Sequence, residues 1–254
     1  MKETYRGEEI GKAAITDEQG DLKMLLGGQS IRPYEITWEG RKTARSKVKK
    51  RVERYLSTKI LLRKSSARII AALDQASGRH PGYVFPQSVY AIELQLRGMH
   101  ELYLLCLLNS EVMNEYLWRT VTGYKFLQPQ IELEDIRALP IRRVNFTTPE
   151  NERSALASQG IRIFDRECLR AANSAPFPEL GEFVATCIGG GTDKSDVVHD
   201  ILVTLGRRMT VLTKRARRSP SADTTNRMTV TRAAIETIVW RLYSSRPAQM
   251  ALPL

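Results

Sequence analysis

Between Arg41 and Arg68 the chain sets twelve lysines and arginines against a single acid, Glu53. That excess of eleven equals the formal net charge of +11 on all 254 residues, so everything outside the segment sums to zero. The charge is localised rather than diffuse. A solvated helix face usually interleaves Glu at i,i+4 to pair its cations, and here that compensation is nearly absent. An ordinary solvated basic face therefore ranks below binding of a polyanion, because a local basic stretch is what a phosphate-bearing partner leaves in a sequence. Nucleic acid is the first candidate and an anionic membrane surface the second.

Composition narrows the choice. With 42% hydrophobic and 26% charged residues, the sequence describes a globular protein with a real core, in one or two domains. No apolar run approaches the ~20 residues of a membrane span. The longest, Leu102 to Leu108, suits a helix buried in a protein core. Met1 to Glu9 is polar and charged, unlike a secretory signal. Cys106, Cys168 and Cys187 are odd in number and irregularly spaced, and His80, His100 and His199 stand apart from them. This argues against a disulfide framework and a zinc site. The expectation is a cytoplasmic protein with no metal, no cofactor of its own and no membrane partner.

Along the chain, residues 1–20 read as an N-terminal arm or linker, 21–146 as an α+β domain, and 147–254 as a helical region. Ile31, Tyr34, Ile36 and Trp38 have strand-like spacing, and Lys47 to Tyr55 has helical composition although nearly all of it is basic. Ile60 to Arg63 and Arg68 to Asp74 are strand candidates, and Tyr83 to Phe85 with Ser88 to Leu94 read as a hairpin-like pair. Met99 to Tyr116 reads as a core helix broken near Asn109-Ser110. Farther on, Glu152–Ala172 and Ser195–Arg217 show helical periodicity, separated by Pro176, Pro178 and Gly189-Gly190-Gly191. A loop over Ser219–Asn226 then precedes a last helix, Thr231–Tyr243.

Catalytic signatures are scarce. Gly189-Gly190-Gly191 lacks both the G-x-G-x-x-G spacing and a following Gly-Lys-Ser/Thr, so it reads as an interhelical loop. Asp17, Asp21 and Lys23 have the residue types of a metal-dependent nuclease, but in a polar loop with no flanking buried strand. Glu132, Glu134 and Asp135 are more simply the first turn of a helix, where acids complement the macrodipole, than a paired-carboxylate centre.

Recognition elements are better supplied. Lys47, Lys49, Lys50 and Arg51 in the first half of the basic run, with Arg63, Lys64, Ser65, Ser66 and Arg68 in the second, are candidate phosphate contacts. Hydroxyls and backbone amides position a phosphate while Arg and Lys neutralise it. The competing reading of 63–68 is an exposed turn between strands. Arg119, Tyr124, Lys125, Gln128 and Gln130 are candidates for base readout, since Arg and Gln pair with base edges in the major groove. Tyr124 and Phe126 read equally as core anchors.

These residues fall in an order that resembles a known family. Leu22 to Trp38 resembles L-L-x-G-x-x-I-x-x-Y-x-I-x-W, and Ile60-Leu61-Leu62-Arg63 is followed by Arg68 to Asp74. Ser88-Val89-Tyr90-Ala91-Ile92 comes next. Leu104 to Tyr116 fits L-L-x-x-L-N-S-x-x-x-x-x-Y, and Pro129-Gln130-Ile131 leads to Leu139-Pro140-Ile141. Over roughly residues 20 to 145 the chain resembles the TaqI-like C-terminal specificity domain of adenine-specific DNA methyltransferases. Those enzymes serve restriction–modification and phage-defence systems. Lys64-Ser65-Ser66 stands where Gln-Thr-Gly-like residues are common, and Gln87 where Asn is more usual.

The resemblance implies a DNA-binding domain that reads a duplex target while a separate catalytic domain flips and methylates an adenine. Arg63, Lys64, Ser65 and Arg68 would then hold phosphates near the target. S-adenosylmethionine would bind the methyltransferase partner. No Pro-Pro dipeptide of a catalytic Asn-Pro-Pro-Tyr/Phe motif is present, so the expectation is a non-catalytic specificity subunit or a fragment of a larger enzyme. The alternatives are a structural adaptor of a multi-subunit defence complex, docking an acidic partner protein, and, third, a metal-dependent nuclease.

Overall fold

Ile60, Leu61 and Leu62 follow one another without a polar break, as do Val89, Tyr90, Ala91 and Ile92. A short, uninterrupted apolar run of this kind suits a strand covered on both faces. The computed structural model describes residues 3–10, 20–95, 98–120, 130–170, 177–189, 191 and 193–244, and it places both runs at the centre of a sheet. The chain is α+β and divides into two units, Met1–Arg97 with Asn114–Leu139, and Gly98–Met113 with Pro140–Pro253. The helical unit thus takes in Gly98–Met113, whereas the sequence put one boundary at 146/147.

In the first unit a four-stranded sheet has the order β1 (Glu3–Arg6), β8 (Val89–Glu93), β6 (Lys59–Arg63), β7 (Ala71–Asp74). Every neighbouring pair is antiparallel, with Tyr5 opposite Ala91, Leu61 opposite Ala91 and Ala72 opposite Leu61. Two small ribbons accompany it. β2 (Leu22–Lys23) pairs with β5 (Lys42–Thr43), and β3 (Ile31–Arg32) pairs with β4 (Glu35–Ile36). The core beneath them gathers Met24, Leu25, Ile31, Leu61, Val84 and a contact trio of Tyr5, Tyr55 and Phe85. Pro33-Tyr34 closes the β3–β4 ribbon with Tyr34 at φ 64°, a left-handed conformation costing a non-glycine residue about 1–2 kcal/mol. Burial of the ring and a 2.9 Å bond from its N–H to the Ala71 carbonyl hold it there.

Three sequence expectations change here. The N-terminal arm contributes β1, an edge strand of the sheet. Lys47–Tyr55 is not an α-helix but two 3-10 turns, Arg45–Lys47 and Val52–Tyr55. The Lys49 and Lys50 amides, which a helix would direct to carbonyls four residues back, go instead to the Glu8 carboxylate at 3.2 and 2.9 Å. Tyr83–Phe85 does not form a hairpin with β8. Val84 bridges Met24 in parallel, its N–H on the Lys23 carbonyl at 2.9 Å.

The break predicted at Asn109-Ser110 is present, between α1 (Glu101–Leu108) and α2 (Glu111–Thr120), where Ser110 Oγ accepts the Met113 N–H at 3.2 Å. α3 (Leu133–Arg137) carries its acids in the first turn as expected, and Asp135 accepts the Glu132 N–H at 2.8 Å. In the helical unit, α1 is buried on all sides from Leu102 to Leu108, as a helix apolar all round must be. It joins α4 (Glu150–Arg170), α5 (Pro178–Gly189), α6 (Ser195–Arg218) and α7 (Ala222–Ser244). Gly206 lets α6 approach α1: a Cβ there would lie 2.9 Å from Cys106 Sγ.

α5 is a helix that sequence reading treated as a separator. Pro178 opens it, a first-turn position where a missing N–H is harmless. The buried Glu167 carboxylate takes the orphan Glu179 and Leu180 amides at 3.0 and 3.1 Å. α7 likewise begins nine residues earlier than predicted, because Ser221 Oγ accepts the Thr224 N–H at 3.1 Å and caps what read as a polar loop.

Candidate nucleic-acid interface

The turn joining β6 to β7 collects pieces of chain that are far apart in sequence. The Lys64 N–H donates to the Ser88 carbonyl at 3.1 Å, and the Lys64 carbonyl accepts the Ile131 N–H at 3.0 Å. The Ile69 N–H donates to Asn114 Oδ1 on α2 at 2.7 Å. Arg63 lies against Gly28, where an added Cβ would stand 2.8 Å from its Cγ. Four other segments thus meet at the turn. Lys64 Nζ sits 3.6 Å from Glu132 Oε2, which also accepts the Tyr90 hydroxyl at 3.0 Å. Burial, then the Glu132 bond, pushes the Tyr90 hydroxyl well above its ordinary pKa, so it donates throughout the physiological range.

At the tip, Ser65, Ala67 and Arg68 are exposed. The Ser66 amide turns back on the Lys64 carbonyl at 3.1 Å, and Ser66 Oγ receives the Arg68 amide at 3.3 Å. Among the described residues, the Ser65 and Ala67 amides meet no acceptor. A tip with two unbonded amides, an exposed serine and two flanking arginines has the donor set that phosphate oxygens take.

The first half of the basic run is held differently. Glu8, buried at 1% exposure, accepts the Lys49 and Lys50 amides and the Tyr55 hydroxyl, the last at 3.0 Å. The backbone of a cationic loop is therefore pinned by a buried acid while its side chains stay outside. Not all of those side chains are equally available. Lys50 Nζ donates to the Arg6 and Gly7 carbonyls, both at 2.6 Å. Arg54 pairs with Glu3 and lies over the Tyr5 ring, and Arg45 pairs with Glu53 at 3.2 Å. Glu53 is held below the usual carboxylate range by a backbone hydrogen bond, with Arg45 and Arg51 adding to it. Lys47, Lys49 and Arg51 are exposed, and among the described residues the two lysines have no ion-pair partner.

Of the base-readout candidates, Tyr124, Lys125 and Gln128 lie outside the described residues. Arg119 is exposed on α2 and donates to Glu115 at 2.5 Å. Gln130 is half-buried next to Ile131, whose amide binds the 63–68 turn, so one readout candidate meets the second phosphate group. Sequence reading overlooked Gln29. It is exposed beside the same turn: a Cβ on Gly27 would lie 2.6 Å from Gln29 Oε1 and 3.3 Å from Ser88 Oγ. The Gly27-Gly28 pair was the available signal, since adjacent glycines mark close backbone approach.

Of the residues considered for a nuclease, the two that are described are otherwise engaged. Asp21 Oδ1 accepts the Arg45 amide at 3.0 Å, Lys23 lies over the Trp38 ring, and Asp17 is outside the described residues. Among the described residues no cluster of three or more His, Cys, Asp or Glu could hold a metal ion, and no helix is long and apolar enough to cross a membrane.

Residues 23–141 match the family model of the TaqI-like C-terminal specificity domain. Over that stretch the chain is similar to a TaqI-like specificity domain. The matched stretch agrees with the segment picked out by its motifs, and it contains the 45–54 loop, the 63–68 turn, Gln29 and Gln130. No curated protein matches the chain. A TaqI-like specificity domain supports DNA sequence specificity in methyltransferase-like systems, and the exposed cations lie within the matched segment.

Proposed function

We propose that this chain recognises a duplex target sequence for an adenine-specific DNA methyltransferase of a restriction–modification or phage-defence system. In this reading it performs no chemistry itself, and a catalytic subunit that binds S-adenosylmethionine is its partner. The observation that carries the proposal is the specificity-domain match, which encloses an amide-rich turn flanked by cations. Lys47, Lys49 and Arg51 follow the phosphate backbone with little regard to sequence, whereas Arg63, Ser65, Ser66 and Arg68 hold one phosphate in a fixed place. Gln29 and Gln130, beside that turn, read base edges.

Selection from a pool of random duplexes tests this directly. One sequence family should be recovered, with an affinity falling by about 0.9 log unit per log unit of salt for each phosphate contact. Salt-dependent binding without sequence enrichment would leave a non-specific binder and defeat the target-recognition reading. Addition of the recovered duplex should bring the chain and its methyltransferase into one complex that methylates adenine in that sequence.

A further inference from the structure

The zero charge balance outside 41–68 conceals a second concentration of charge. From Ile201 to Ala222 six cations occur without one acid: Arg207, Arg208, Lys214, Arg215, Arg217 and Arg218. They ride on α6. The helix macrodipole accommodates cations in the last turn, which accounts for Arg215, Arg217 and Arg218 but not for Arg207 three turns upstream.

Beside Arg207 and Arg215 a groove of ≈ 660 Å³ opens between α4, α6 and α7, with Phe164, Leu169, Val211 and Val230 in its lining. Leu169 is 89% exposed and Val211 60%, two of the five large apolar side chains left exposed among the described residues. Scattered surface leucines are ordinary, but apolar side chains gathered at a concave site mark an interaction surface. The charges around the groove are unequal. Arg208 pairs with Asp165 at 2.5 Å and lies over Phe164, and Arg227 stands 4.0 Å from Asp223. Arg207 and Arg215 have no ion-pair partner among the described residues, so the lining keeps a positive excess.

We infer that this groove docks an acidic amphipathic helix of a partner protein. Apolar side chains at i, i+3/i+4 and i+7 seat against Leu169, Val211 and Val230, and flanking carboxylates meet Arg207 and Arg215. A DNA backbone would use the arginines but leave Leu169 and Val211 in water. An apolar ligand would use the leucine and valine but ignore the charge. A helix with one apolar face and acidic flanks uses both. The lining residues belong to the helical unit and lie outside residues 23–141 of the sequence, the stretch matched by the specificity-domain family.

The test is a displayed library of random peptides about 18 residues long, five helical turns, selected on the full chain. Counter-selection uses the Leu169→Glu/Val211→Glu variant, whose replaced side chains are already in solvent, so folding is retained and checked by circular dichroism. Enriched clones should carry an apolar helical stripe flanked by Asp and Glu. Their affinity should fall at least about tenfold on that variant and on Arg207→Glu/Arg215→Glu. Clones without this bias, clones that bind all three proteins alike, or no enrichment would overturn the proposal. Loss of duplex DNA affinity in Leu169→Glu/Val211→Glu would assign the groove to nucleic acid and overturn it too.

Discussion

Lys59 and Asp74 face each other across β6 and β7 and close an ion pair of 2.7 Å in which neither side chain reaches solvent. The ammonium also donates to the Tyr55 and Ser57 carbonyls at 2.7 and 2.9 Å. The carboxylate takes His80 Nε2 at 2.7 Å and the Tyr83 amide at 2.9 Å. Burial pushes the Lys59 pKa down, and Asp74 pulls it back toward the charged form. Removing one partner strands a buried charge, which costs about 3–5 kcal/mol. Asp74→Ala should lose that much in urea unfolding, while Lys59→Met/Asp74→Leu loses markedly less. Equal losses in the two variants would mean that the charge pairing is not what matters here.

The basic run separates into cations that hold the fold and cations that face solvent, and the two groups make opposite predictions. Replacing Lys47, Lys49 and Arg51 together with Gln should leave the unfolding midpoint within about 0.5 kcal/mol of the parent, as surface changes do. The same variant should flatten the salt dependence of duplex binding by about 0.9 per contact removed. Lys50→Met has the reverse profile. It breaks two bonds to the Arg6 and Gly7 carbonyls and lowers stability, with a smaller effect on the salt slope. Fluorescence anisotropy over a salt series, beside urea titrations, resolves the two quantities.

The extent to which the sequence was readable follows from where each hydrogen bond comes from. β6 was legible because Ile60-Leu61-Leu62 is apolar at every position, and α1 because Leu102–Leu108 has no polar face to expose. The break at Ser110 was legible because its hydroxyl caps the next helix locally. The 45–54 loop was not, because its conformation is set by Glu8, some forty residues away, and composition alone gives no hint of that partner. α5 was obscured by Pro178, a helix breaker in the interior and a helix starter in the first turn. In the candidate site, charge marked the Arg63–Arg68 turn, whereas Gln29 carries no charge and enters only through the fold that brings Gly28 against Arg63.

Gly28 provides a way to move Arg63 without touching it. A Cβ at residue 28 would lie 2.8 Å from Arg63 Cγ, close to the root of that side chain, so the whole side chain must move. Gly28→Ala should therefore displace the guanidinium at some cost in stability, and it should weaken duplex binding by an amount approaching that of Arg63→Ala. The two substitutions combined should be no worse than Arg63→Ala alone, since coupled sites are non-additive. An additive double variant would place the action of Gly28 elsewhere.

Alkaline stability depends on the tyrosines. Burial raises the hydroxyls of Tyr5, Tyr55, Tyr90 and Tyr103 well above their ordinary value, and burial lifts Tyr243 to about 12 against an opposing effect of Arg142. Unfolded tyrosines titrate near 10. As pH rises above that value the unfolded chain gives up these protons first, so it binds fewer protons than the folded state and stability falls with pH. The contribution is complete below about pH 10 and is lost as pH climbs toward the folded pKa values. Of nine tyrosines, these five keep their protons in the folded protein at a pH where the unfolded chain has begun to lose them. Absorbance of phenolate at pH 11 should thus report no more than four ionised tyrosines in water and all nine in urea. Tyr243→Phe should remove part of the alkaline slope, because it deletes a group whose proton is held only by the fold.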